Sequence, residues 1–189
     1  MAIESKIFNP QAKVLAHADR VLSYFDGNNV DPITLEIDPS NACNHSCPFC
    51  ISGHIHLKKF KGTEFFNRSI MSREILLKFA KEICNTDIKS LSFTGGGDPT
   101  KNPALKETIE YIGTNSKIEM GMFSNGTNFE RFDLFETITK NLKWIRISLD
   151  AGKEHTYDKI RVTNSKNNFK TVIGNINKLI KIKKDTKSN

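Results

Sequence analysis

The sequence predicts an α/β fold built on a parallel sheet, and three observations predict it. Short apolar/polar alternations that read as strands alternate along the chain with longer stretches of helical spacing. The second, third and fourth strands recur at about thirty residues, the length of one βα unit. The unusual motifs all lie just past the C-terminal end of a strand, the side on which parallel sheets and barrels bind ligands. With 189 residues, 38% hydrophobic and 26% charged, the chain can bury one real core.

Taken in order, the elements are these. From Pro10 to Phe25, apolar side chains at Val14, Leu15, Ala18, Val21, Leu22 and Phe25 follow helical spacing, and Gly27 lies just past the end. Residues 1–30 are therefore an N-terminal helical extension, expected to pack on the bottom or side of the domain and to carry no chemistry. The first strand runs from Ile33 to Asp38. Ser72 caps a helix whose stripe is Ile75, Leu76, Phe79, Ala80, Ile83 and Cys84, so Cys84 reads as a small buried hydrophobe. The second strand, Ile88 to Phe93, ends in Thr94-Gly95-Gly96-Gly97-Asp98-Pro99, and Pro103 opens the next helix. The third, Ile118 to Phe123, ends in Ser124-Asn125-Gly126-Thr127 and is followed by a helix from Phe129 to Lys140. In the fourth, Lys143 to Leu149, Ile145, Ile147 and Leu149 face covering helices while Arg146, Ser148 and Asp150 face a lumen. After a short polar segment the last helix runs from Asn168 to Ile182. The domain spans 31–182, and 183–189 form a lysine-rich polar tail.

The chemistry is concentrated in Asn41-Ala42-Cys43-Asn44-His45-Ser46-Cys47-Pro48-Phe49-Cys50. Three of the four cysteines fall here, spaced C-x3-C-x2-C, on the loop after the first strand. Such a loop can curl three thiolates around one soft metal centre, and thiolates select iron–sulfur clusters, zinc or Cu(I). In a four-iron cluster one iron would lack a protein ligand and stay open to a small molecule. In a closed Cys3His zinc site, His45, His54 or His56 would supply the fourth ligand. The long basic stretch after Cys50, with Lys58, Lys59 and Lys61, is a candidate functional loop. The glycine triplet lets backbone come close to a ligand and take φ angles that other residues avoid.

Cys43, Cys47 and Cys50, with the strand-end motifs in order behind them, resemble the radical S-adenosylmethionine (radical SAM) enzymes from about Ile33 to Ile182. The resemblance implies a parallel partial TIM-type barrel, a [4Fe–4S] cluster held by the three cysteines, and SAM chelated at the open iron and reductively cleaved to a 5′-deoxyadenosyl radical. Phe49 matches the residue that lies along the adenine. Gly96, Gly97 and Asp98 match the glycine-rich motif that meets the SAM amino group. The family usually has glutamate where Asp98 stands, so the backbone contact is the firmer of the two. Ser124 and Asn125 match the polar end of the third strand. Ser148 and Asp150 match the fourth-strand end near the ribose or methionine part. Arg161 resembles the arginine that pairs with the SAM carboxylate, for which its fork is suited. No residue that meets the substrate is visible.

Two departures from the family pattern bear on partners. The family core has six βα units and about four are present here, so a homodimer or a partner completing the barrel is expected at the open edge. No C-terminal cysteine-rich extension follows, so the substrate, peptide or small molecule, is not specified. An external electron donor is implied. A degenerate member that binds cluster and SAM and serves as a partner subunit is the third reading. No apolar run is long enough to span a membrane and no signal-peptide core is present, so the cytosol is expected. The net charge of +7 suits an acidic ligand or a solvated lysine-rich surface. Without aromatics interleaved among the lysines, nucleic acid is not expected as a partner.

Overall fold

The computed structural model describes residues 15–163 and 167–186 and divides into two compact units, Met1–Pro32 and Ile33–Asn189. In the first unit a helix, α1 (Ala18–Phe25), is followed by a turn at Gly27. Arg20 Nη1 donates to the Asp31 carbonyl at 2.9 Å. The expected helix start at Pro10 and its apolar Val14 lie outside the described residues, as does the end of the polar tail.

The second unit is a four-stranded parallel sheet in the order β1 (Thr34–Ile37), β2 (Ser90–Phe93), β3 (Glu119–Ser124), β4 (Leu142–Ile147). Strand pairs register Ile37 with Phe93, Phe93 with Met122, and Met122 with Ile145. Sequential neighbours with helical crossovers are what βα repeats produce. The helices are α2 (Gly53–His56), α3 (Arg73–Ile83), α4 (Leu105–Asn115), α5 (Phe135–Asn141), α6 (Glu154–Ile160) and α7 (Asn168–Asp185).

The period-2 alternation decides which face of the sheet is core. Leu91, Phe93, Met120 and Met122 point to one face and are buried against Leu76, Ala80 and Ile83 of α3, Leu105, Ile109 and Ile112 of α4, and Phe135 and Ile138 of α5. Each fully buried side chain of this kind is worth about 1.5–3 kcal/mol. The other face carries Thr34, Ser90, Ser92 and Gly121, with Thr34 Oγ1 and Ser90 Oγ hydrogen-bonded at 2.8 Å across the strands. An irregularity between Met120 and Gly121 slips the β3–β4 register, so that Gly121 pairs with Trp144. A Cβ on Gly121 would lie 2.0 Å from the indole, so the glycine is what lets Trp144 lie across the sheet.

Three elements differ from expectation. Residues 129–134 are not helical: Asp133 adopts φ +49°, which ends any helix there, and α5 starts only at Phe135. Phe129 is nonetheless fully buried, as a loop anchor. Pro103 precedes α4 without opening it. The Asn102 side chain accepts from Ala104 N at 2.9 Å, and the helix begins at Leu105. Finally, α6 lies in the segment expected to be merely polar; Tyr157 is its one buried residue.

Candidate active site: a thiol-lined cavity at the strand ends

The cysteine loop is shaped by its neighbours before any ligand is considered. Ser40, almost wholly buried, accepts from Ala42 N at 3.0 Å and turns the chain as it leaves β1. Asn41 N donates to Ser69 O at 2.9 Å. Gly97 N donates to Ser40 O at 3.1 Å and Asp98 N to Ala42 O at 2.9 Å, so the loop pairs with the segment after β2. Further on, Asn44 Nδ2 donates to Thr127 Oγ1 at 2.8 Å, and Ser46 N to Val162 O at 2.6 Å. Asn102 Nδ2 donates to both Pro39 O and Met71 O at 2.9 Å and pins the base. Backbone polar groups in this irregular loop are therefore satisfied from several other segments, as a buried loop requires.

This arrangement corrects the expected φ angles of the glycine triplet. None of Gly95, Gly96 and Gly97 has positive φ. They are glycines because the cysteine loop lies on them: a Cβ on Gly97 would stand 2.2 Å from Ala42 O, and one on Gly95 2.8 Å from Ser40 O. The left-handed glycine of the site is instead Gly126, φ +78°, in the turn after β3.

A cavity of about 340 Å³ opens where these segments meet. Cys43, Cys47 and Cys50 line it from one side, with Phe49, Gly96, Gly97, Asp98, Ser124, Asn125, Ser148 and Arg161 around them. Asp150 is not in the lining; it forms an ion pair with Arg161 behind it. The Asp98 carboxylate accepts from Thr100 N at 3.0 Å, Ser124 Oγ at 3.1 Å and Asn125 N at 2.7 Å, so it ties the ends of β2 and β3 together. Arg161 lies over the Phe49 ring, 5.3 Å from its centroid, and its Nη1 donates to Cys47 Sγ at 3.5 Å.

Sequence reasoning left out Ile51, Ser52, Thr94, Phe123 and, as cavity walls, His45 and His56. Phe123 had a usable signal, because it alternates with the core residue Met122 and must face the lumen. His45 is held by the ring of Tyr157, edge-on at 6.5 Å, from a helix that the apolar pattern did not reveal.

Burial sets the charge state of the groups around the cavity. Burial first, and then the nearby Asp98, push the Cys43 thiol up to about 11. Burial also raises Cys47, against the pull of Arg161. Burial and Arg161 drive His45 down to about 4, so its ring is neutral at pH 7. Buried thiols of this kind are poor nucleophiles until a metal's charge draws off their protons. Among the described residues no three His, Cys, Asp or Glu side chains converge closely enough for one metal ion. His54 is exposed, near the Ile51 carbonyl at 3.2 Å and against Phe65. A closed Cys3His zinc site thus finds no support among the described residues, and Cys43, Cys47 and Cys50 all line the one cavity. Three residues of the cavity lining carry buried polar atoms without a hydrogen-bond partner among the described residues: both ring nitrogens of His45, His56 Nδ1 and Arg161 Nε.

The sequence model of one family, described as the radical SAM superfamily, matches residues 37–189. The chain belongs to the radical SAM superfamily. This is a family of enzymes whose cofactors are a [4Fe–4S] cluster and SAM. A protein named "Probable GTP 3′,8-cyclase" from Saccharolobus islandicus is 32% identical over 127 residues, covering 67% of this chain and 37% of that protein. SuiB of Streptococcus suis, solved bound to S-adenosylmethionine, superposes with a TM-score of 0.64 at 15% identity, over 94% of this chain and 39% of that one. Methylornithine synthase (PylB) gives 0.52 at 16% identity, over 93% and 49%. The parallel sheet of this radical SAM chain is thus the partial barrel fold, and the chain spans well under half the length of the curated relatives it matches.

Proposed function

We propose that the chain holds a [4Fe–4S] cluster through Cys43, Cys47 and Cys50 and uses it to cleave SAM reductively for hydrogen abstraction from a substrate. When bound, the reduced cluster supplies one electron to SAM, which yields methionine and a 5′-deoxyadenosyl radical. The observation that carries this reading is the single cavity that joins the three thiols to the ends of β2, β3 and β4.

The chain's own residues orient and shield. The edge of Gly96 and Gly97 offers backbone groups to the amino end of SAM, with Asp98 as the brace that fixes this edge to β3. Phe49, about half exposed, supplies a ring for the adenine. Ser124, Asn125 and Ser148 face the polar middle of SAM. Arg161, aimed by Asp150, reaches its carboxylate end. The substrate, a peptide or a small molecule, enters from the open lumen, and an external donor supplies the electron. The names of the relatives include GTP for the cyclase and a precursor peptide for SuiB. Both lie within this substrate range.

The test is anaerobic reconstitution with iron and sulfide, followed by SAM, a strong reductant and an assay for 5′-deoxyadenosine. Product from the wild type that Cys47→Ala abolishes is the expected result. A SAM-responsive cluster without product would favour a partner subunit. Bound zinc with no cluster would end the reading.

A further inference from the structure

Each of the three cysteine sulfurs meets one side-chain nitrogen, and each nitrogen comes from a different segment. Asn125 Nδ2, at the end of β3, donates to Cys43 Sγ at 3.8 Å. Arg161 Nη1, at the end of α6, donates to Cys47 Sγ at 3.5 Å. His56 Nε2, at the end of α2, lies 4.0 Å from Cys50 Sγ. Family resemblance gives Asn125 and Arg161 to SAM and gives His56 nothing. Their positions in the structure point first at sulfur.

The three nitrogens are also held in place independently of any ligand. Asn125 Nδ2 shares a second bond with Asn44 Oδ1 at 3.0 Å, and its Oδ1 accepts from Thr127 N at 3.0 Å, which fixes the amide the right way round. Arg161 is gripped by Asp150 on one side and the Phe49 ring on the other. His56 is 4% exposed, and its Nδ1 has no partner among the described residues. The neutral ring lies beside Cys50 Sγ and also meets backbone groups of Gly96 and Ser52.

We propose that Asn125, Arg161 and His56 are a set of positioning residues, one side-chain N–H donor per cluster thiolate beside the backbone donation of His45 N to Cys43 Sγ at 3.4 Å, that holds the reduction potential of the cluster up. The inference rests on the cluster reading above. A hydrogen bond to a ligand sulfur stabilises the more negative, reduced state more than the oxidised one, so donors raise the potential. Arg161 adds a positive charge, which Asp150 partly offsets, so its donation is the strongest of the three. His56 has no other assigned task and gives the cleanest test.

The experiment is a redox titration, followed by EPR without SAM, of reconstituted wild type, His56→Ala, His56→Gln and Asn125→Ala. The expected result is a lower potential for both alanine variants. At the wild-type midpoint the reduced-to-oxidised ratio should fall about threefold to tenfold, tenfold corresponding to about 59 mV for one electron. His56→Gln keeps an N–H within reach and should recover most of the shift. Alanine variants that load iron normally and titrate at the wild-type potential would overturn the proposal while leaving the cluster reading intact. So would a loading defect in His56→Ala that His56→Gln fails to repair, since the histidine would then matter only for packing. A wild type that assembles no cluster would instead sink the parent reading.

Discussion

Two glycines show how local space decides what a residue is for. Gly97 lies under the cysteine loop, and an added methyl would sit 2.2 Å from the backbone oxygen of Ala42. Neither side can yield without breaking the Gly97–Ser40 and Asp98–Ala42 hydrogen bonds. Gly97→Ala is expected to cost about 1–3 kcal/mol of stability by overpacking and to lower iron bound per chain. Thermal denaturation and iron analysis after reconstitution read the two effects. Gly174 is the opposite case. It is an exposed position inside α7 with nothing within 4 Å of its would-be Cβ. There Gly174→Ala should stabilise by about 0.5–1 kcal/mol, because the helix gains propensity and the unfolded chain loses freedom. A gain at Gly97 or a loss at Gly174 would contradict the packing described for them.

At the scale of elements, the strands and the cysteine loop were legible because both rest on short-range signals. Alternation marked the strand from Ile33 to Asp38 and the faces of the fourth strand, and cysteine spacing marked the loop. Two things were not legible. The glycine triplet reads from sequence as needing unusual φ angles, and only the fold shows that none is positive and that Ser40 and Ala42 pack on Gly95 and Gly97. The helix α6, Glu154-His155-Thr156-Tyr157-Asp158-Lys159-Ile160, is too polar to announce itself. Tertiary packing makes it a helix, since Tyr157 is fully buried between His45 and Phe169 and so carries α6 to the cysteine loop and α7. Its hydroxyl has no hydrogen-bond partner among the described residues, and burial pushes its pKa up to about 12. Two substitutions separate ring from hydroxyl. Tyr157→Ala should lose about 3–5 kcal/mol, as large aromatic truncations do. Tyr157→Phe should hold or gain about 1 kcal/mol, by removing an unsatisfied buried group. Urea unfolding of the cluster-free protein decides both. A Phe variant as damaged as the Ala variant would mean that the hydroxyl has a partner.

For the whole molecule, the sheet ends at β4, whose outer backbone groups pair with no strand among the described residues. Beside that edge runs an apolar groove between α5 and α7, lined by Ile138, Leu142, Ile145, Ile147, Leu179 and Ile180. An exposed sheet edge flanked by apolar surface is a template for association. The groove carries only Lys143 and Lys183 as charges, and Trp144 and Ile180 stay 42% and 48% exposed at its rim. We propose a second copy as the occupant, its β4 pairing antiparallel across a two-fold axis. The expected outcome is a dimer that dissociates on dilution, measured by light scattering after size-exclusion chromatography. Ile180→Lys should shift it to monomer, because two added charges would face each other or apolar surface across the axis. Helix α7 should keep its stability in that variant, since Ile180 is outside the buried core. A wild type that stays monomeric at every concentration would show that a different chain, or solvent alone, meets the β4 edge.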